Sequence, residues 1–188
     1  MNLPNKLTLL RIIMIPIFAV IFYLPQIPYN YLISAVIFAL AAFTDFLDGH
    51  IARKYNLVTD LGKFLDPIAD KVLVSTALIL MLVPLGTVIL PWYAGICVAI
   101  ILARELIISG FRLVASTKNI VIAADKAGKL KTVFQDFAIL VLLAGASFGA
   151  LYSTVNVIGL CLLGVATLLT IISGIECIVK NRAVLVTK

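Results

Sequence analysis

The stretch TDFLDGHIARKYNLVTDLGKFLDPIADK, residues 44–71, decides how the rest of the chain is read. It is dense in charge, yet long charge-free stretches adjoin it on both sides. No Asp, Glu, Lys or Arg occurs over positions 12–44 or over positions 72–103. A third such stretch covers positions 137–175. Each is too long for a single helix across the hydrocarbon of a bilayer, which takes about 20 residues. Each is also broken near its middle, by Pro25-Gln26-Ile27-Pro28, by Pro84-Leu85-Gly86 with Pro91, and by a run with two Gly and three Ser or Thr over 145–154. The pattern predicts three helical hairpins. That gives an all-α integral membrane protein, a six-transmembrane-helix bundle with spans near 7–24, 29–48, 66–83, 91–113, 132–150 and 154–178. Every charged residue then lies on one side. By the positive-inside rule that side is the cytoplasm, so both termini are cytoplasmic.

Composition agrees. Of 188 residues, 63% are hydrophobic and only 13% charged, against roughly 25% charged in an ordinary soluble domain. This excludes a disordered chain and a nucleic-acid module. The net charge of +6, from 15 Lys and Arg against 9 Asp and Glu, marks the inner membrane face. Cys97, Cys161 and Cys177 form no spaced cluster, and a single His argues against a His-based metal site. Residues 1–188 read as a single domain. Met1 to Leu10 is expected as a short N-terminal amphipathic segment on the inner surface. The apolar run after it lacks a small-residue cleavage site, so it is expected to be retained.

Length places charge inside the membrane. The uncharged run over 72–83 gives only roughly 18 Å of helix against a core of about 30 Å. The third helix must therefore include Asp66 to Lys71. The fourth meets Arg104 and Glu105 after an equally short uncharged run from Trp92, and the fifth carries Gln135 and Asp136 at a similar depth. Backbone stays helical in lipid, and intramembrane charge is expensive, so function is its default reading. The expectation is a polar cavity open to the cytoplasm.

Within the opening stretch, Asp45 and Asp48 are three apart at the end of one helix, and Asp66 and Asp70 four apart at the start of the next. Each pair shares a helix face. A loop over 49–65 lets the helices run antiparallel, so the pairs converge. Four carboxylates in a partly buried site need cations to balance them. All-oxygen ligands suit Mg2+, Mn2+ or Ca2+, and four are enough for two ions. Gly49, Ala52 and Gly62 let a phosphate-bearing ligand approach the backbone, and Arg53 can pair with phosphate. Asp60 reads as an ordinary residue of a charged cytoplasmic loop, there to cap a helix or satisfy topology.

The pattern Asp45-x2-Asp48-Gly49-x2-Ala52-Arg53-x8-Gly62-x3-Asp66-x3-Asp70, with every position from Asp45 to Asp70 in register, resembles the signature of the CDP-alcohol phosphotransferases. The resemblance implies a two-metal active site facing the cytoplasm. Asp45, Asp48, Asp66 and Asp70 would hold two divalent cations, Mg2+ or Mn2+, with Asp70 also the general base. Gly49, Ala52, Arg53 and Gly62 would bind the CDP group. It also implies a homodimer. The opening Asn2-Leu3-Pro4-Asn5-Lys6-Leu7-Thr8-Leu9-Leu10-Arg11, together with Gly128-Lys129-Leu130-Lys131-Thr132 and Lys180-Asn181, is similar to the bacterial phosphatidylglycerophosphate synthase branch. That implies transfer of a phosphatidyl group from CDP-diacylglycerol to sn-glycerol 3-phosphate in the cytoplasmic membrane.

A phosphorylated acceptor needs a cationic pocket. Arg104 and Arg112 are eight apart on one helix, roughly one face. With Lys126, Lys129 and Arg11 they are the candidate phosphate ligands. The bland alternative for the arginines is an internal ion pair with Glu105 or Asp136. Lys118 and Lys131 read as anchors to anionic lipid. Asn5 and Thr8 either contact substrate or cap the helix that starts near Pro4. Trp92 and Tyr93, with Tyr29 and Tyr31, are expected at the outer interface. Two other readings compete. One keeps the chemistry with serine or an inositol phosphate as acceptor. The other makes the Asp cluster a cation transport site, although such sites favour the midplane of broken, repeated helices.

Overall fold

The described residues form six long helices and a final short turn: α1 (Leu3–Phe22), α2 (Asn30–Lys54), α3 (Asp60–Met81), α4 (Ala94–Thr117), α5 (Lys126–Gly145), α6 (Tyr152–Lys180) and a 3-10 turn (Arg182–Val184). The computed structural model describes residues 2–55, 59–83, 87–118, 120, 122, 126–148 and 152–184, without the side chains at 3, 4, 46, 50, 52–54, 60, 61, 63, 64, 126 and 183.

One stripe on α1 shows how the bundle is organised. Asn5, Thr8, Arg11, Ile15, Phe18 and Phe22 are all buried. Their spacing of three and four is the inward face of a helix. The first three are polar and the last three apolar, so the stripe changes character halfway along. On α5 the same change runs from Lys131 and Gln135 to Ala138, Ile139 and Leu142. The bundle therefore has a polar end and an oily end. In the oily end Phe18 lies 6.3 Å from both Phe22 and Phe38, centroid to centroid. The α3–α4 connection closes that end: Ile89 and Leu90 are buried, Tyr152 donates to the Val88 carbonyl, and Asn156 donates to that of Ile89 at 2.8 Å.

Contacts run around a ring: α3 on α1, α1 on α2, α2 on α5, α5 on α6, α6 on α4, and α4 back to α3. The outside is apolar, with Val20, Val36, Ile79, Ile96, Leu168 and Val179 exposed. Among the described residues, Asn5–Phe22, Asn30–Gly49, Ala94–Thr117 and Tyr152–Lys180 are long and apolar enough to cross a membrane. Trp92 and Tyr93 are exposed as expected, but Tyr31 is buried edge-on to Phe22 at 5.2 Å, a packing residue and not an interface anchor.

Two further expectations need correction. The N-terminal amphipathic segment is not a separate element. Pro4, which fits the first helical turn, opens α1, and the helix runs unbroken through residue 10 because its polar face is buried against α2 and α3. The loop expected over 49–65 is mostly helix. α2 continues to Lys54 and α3 starts at Asp60, with Thr59 capping it by accepting from the Gly62 amide at 3.1 Å.

α5 and α6 approach most closely where glycine permits it. A Cβ on Gly159 would sit 2.5 Å from Leu142 Cγ, and one on Gly145 would sit 2.6 Å from Val155 Cγ1. Leu142 is fully buried and cannot swing away. Gly159→Ala is thus expected to destabilise by about 1–3 kcal/mol through overpacking, although alanine is intrinsically the better helix former. Gly164, which has open space around its Cβ position, is the control. Gly164→Ala should be neutral or slightly stabilising, read as the unfolding midpoint in mixed micelles.

Candidate active site

The polar end is built from three helix segments. Thr8 Oγ1 on α1 donates to Asp66 Oδ1 on α3 at 2.6 Å and lies 3.5 Å from Asp48 Oδ2 on α2. Arg11, one turn further and wholly buried, forks its guanidinium across α2: Nη1 meets Asp45 Oδ1 and Nη2 meets Asp48 Oδ2, each at 2.6 Å. Both carboxylates of the α2 pair thus face one way, and Thr8 links that pair to α3. Asn5 accepts from Thr59 Oγ1 at 2.8 Å, which ties α1 to the start of α3. Gly62 is where the two come closest. A Cβ there would lie 3.1 Å from Asn5 Oδ1 and 3.2 Å from Thr59 Oγ1.

Asp70 lies one turn beyond Asp66 and turns towards a second region. A chamber of about 250 Å³ between α3, α4 and α5 has Asp70 in its wall. Lys71, Arg104, Arg112, Lys129 and Lys131 also line it, so five cations face the two acids Asp70 and Glu105. Their partners are specific. Lys71 donates to Ser109 Oγ, which donates to the Glu105 carbonyl, and Lys131 pairs with the Glu105 carboxylate. Arg104 reaches Glu105 at 3.3 Å and Ser173 Oγ on α6 at 2.8 Å. Beside it, a Cβ on Gly174 would lie 3.1 Å from Arg104 Cγ, so the small residues of α6 make a bed for the arginine stem. The charge excess of this chamber favours an anion, and Asp70 stands at its edge.

Sequence comparison bears directly on this arrangement. The CDP-alcohol phosphatidyltransferase family model matches residues 1–174. The chain belongs to this family. It is 41% identical over 173 residues to a Rickettsia bellii protein named CDP-diacylglycerol–glycerol-3-phosphate 3-phosphatidyltransferase, covering 92% of this chain and 91% of the relative. Proteins of the same name from Bacillus subtilis and Salmonella paratyphi A are 44% and 39% identical, over 76% and 93% of this chain and 76% and 92% of theirs.

Family members generally use divalent cations. Asp45, Asp48, Asp66 and Asp70 are an all-oxygen donor set, which suits a hard divalent ion. Asp136 Oδ1, also buried, has no hydrogen-bond partner among the described residues and lies within electrostatic reach of Asp70 and Asp45. As the side chains are placed, no three Asp, Glu, His or Cys among the described residues converge on one point. The Arg11 guanidinium holds Asp45 and Asp48 instead. The donor chemistry fits a divalent cation, and Arg11 is its competitor for those two carboxylates.

Arg104, Arg112 and Lys129 are brought together as expected, and Arg104 also makes its alternative ion pair with Glu105. Arg11 does not line that chamber; it pairs with the α2 carboxylates, apart from the other candidate phosphate ligands. Lys131 is buried in the chamber wall, and the lipid-anchor reading of it is corrected. Lys118 donates to the Val184 carbonyl at 2.6 Å. Asn5 and Thr8 do not cap α1, which has Asn2 at its N-cap with no side-chain bond. Gly49 follows Asp48 within α2. The side chains of Ala52, Arg53 and Lys126 lie outside the described residues. Lys71, Ser109 and Ser173 are the members that sequence reasoning missed. Lys71 carried a signal, since the length argument already drew Asp66 to Lys71 into the membrane.

Proposed function

We propose that the chain transfers the phosphatidyl group of CDP-diacylglycerol to sn-glycerol 3-phosphate, giving phosphatidylglycerophosphate and CMP. The observation that carries this reading is the juxtaposition of the acidic motif with a cationic chamber through one shared residue, Asp70. The names of the relatives support the same donor and acceptor. In this reading all six helices of a single domain cross the cytoplasmic membrane as a bundle. Both termini and the polar end face the cytoplasm, and two such chains form a homodimer.

Each group then has a task. Two divalent cations, Mg2+ or Mn2+, held by Asp45, Asp48, Asp66 and Asp70, would neutralise the pyrophosphate and the charge that moves onto CMP. Gly49 and Gly62 leave room for the CDP group, with Ala52 and Arg53 on the same helical segment as Gly49. Arg104, Arg112 and Lys129 hold the acceptor phosphate, with Lys126 at the start of the same helix as Lys129. Lys131 and Lys71 keep Glu105 and Ser109 in place around it. Asp70 accepts the proton of the acceptor hydroxyl. The hydroxyl oxygen bonds to the phosphorus that carries the diacylglycerol, and the bond from that phosphorus to the CMP oxygen breaks. Asn5 and Thr8 act through Thr59 and Asp66, as positioning groups.

The test is CMP release by the purified chain in detergent with CDP-diacylglycerol and Mg2+ or Mn2+. Glycerol 3-phosphate, serine and inositol phosphate are supplied one at a time. Release is expected with glycerol 3-phosphate alone. Release with another acceptor overturns the acceptor assignment and keeps the donor chemistry. No release with any acceptor, from folded protein that binds the ion, favours a cation transport site.

A further inference from the structure

The cationic chamber has an inner extension that the reaction above does not use. A second cavity of about 40 Å³ shares Asp70, Lys71, Glu105, Lys131 and Thr132 with the larger one. It adds Gln135 and Ser75, over an apolar floor of Val74, Ile101 and Leu102. One water needs roughly 10–15 Å³, so the space suits a small hydroxylated group and not a phosphate.

Gln135 is the unusual member. It is 2% exposed, yet its Oε1 has no hydrogen-bond partner among the described residues. A buried amide oxygen without a donor is rare and costly. The two lysines that line the same cavity make their bonds elsewhere. Lys131 is on Glu105 and Lys71 is on Ser109. The amide carries both donor and acceptor and no charge, which is the chemistry that reads a neutral hydroxyl.

We propose that Gln135 binds the secondary hydroxyl of the acceptor and is a specificity-determining residue. This rests on the acceptor reading above. With the phosphate held among Arg104, Arg112 and Lys129, the three-carbon chain of glycerol 3-phosphate runs inward. Its terminal hydroxyl meets Asp70 in the wall common to both cavities. The neighbouring carbon then carries its hydroxyl into the inner cavity, opposite Gln135. The amide so gains the partner that the protein itself does not supply.

The test compares glycerol 3-phosphate with 3-hydroxypropyl phosphate, which differs only by lacking the secondary hydroxyl. CMP release is measured for the full chain in detergent. The wild-type kcat/KM should favour glycerol 3-phosphate by at least roughly tenfold, because an analogue without the hydroxyl leaves the amide unpaired. In Gln135→Met, close in volume, the preference should fall to about threefold or less, mostly through loss on glycerol 3-phosphate. Equal use of both acceptors by the wild type overturns the proposal and needs no variant. So does an equal proportional loss on both acceptors in Gln135→Met. If the wild type releases no CMP with glycerol 3-phosphate, the underlying acceptor reading itself has failed.

Discussion

Asp70→Asn is expected to lower CMP release by roughly 10²–10⁴-fold, the usual range for a positioned general base, while leaving the protein folded. Asparagine matches aspartate in shape, so packing around the half-buried side chain is kept. What changes is basicity. An amide does not take the proton of the attacking hydroxyl, and a carboxylate is lost from the proposed cation set. Stability should change little, because burial opposes the lost charge while its neighbours include both acids, Asp45 and Glu105, and cations, Arg11 and Lys131. The KM for glycerol 3-phosphate should move little, since its phosphate is held by Arg104, Arg112 and Lys129, which the change does not touch. A variant that keeps activity within about tenfold of wild type would remove Asp70 from the base role. A variant that loses activity through KM alone would make Asp70 an acceptor-binding residue.

What was legible in the sequence follows from which forces act locally. The helices could be read because charge exclusion from lipid works on long windows. The two Asp pairs could be read because spacings of three and four place side chains on one face wherever the helix sits. The extra turns of α2 and α3 escaped, since residues 49–54 and 60–65 look like loop by composition, yet both stretches are helix, the second with Thr59 as its cap. Arg11 and Lys131 escaped for another reason. A cation's partner is set by which helix faces it, and nothing in the local sequence says that Arg11 meets residues 34 and 37 positions away. The bed that Ser173 and Gly174 provide for Arg104 is far along the chain, on α6, and leaves no periodic trace. The polar half of the α1 stripe was available, because Asn5, Thr8 and Arg11 continue the spacing of Ile15, Phe18 and Phe22. Reading it needed periodicity weighed above the run of apolar residues between them.

Arg11→Met should destabilise the protein by about 3–5 kcal/mol in EDTA, the usual cost of stranding one member of a buried ion pair. Nearly all of that passes through Asp48. Its side chain is 3% exposed, whereas Asp45 is 43% exposed and water can take over from the guanidinium there. Thr8 does not replace the lost charge, because its hydroxyl is 3.5 Å from Asp48 and already committed to Asp66 at 2.6 Å. Methionine fills most of the arginine stem's volume, so the loss is electrostatic and not a cavity. Two further measurements separate this from a general packing defect. Adding Asp48→Asn should recover most of the stability, since no stranded charge remains, and the double-mutant cycle should show coupling above about 1 kcal/mol. Excess Mg2+ should raise the unfolding midpoint of Arg11→Met more than that of wild type. The ion then meets no internal competitor for Asp45 and Asp48, and a ligand stabilises in proportion to its affinity for the folded state. An Arg11→Met midpoint equal to wild type in EDTA would show that the guanidinium does not secure the polar end. A midpoint that falls but ignores both Asp48→Asn and Mg2+ would make Arg11 a packing residue and remove it from any competition with the cation.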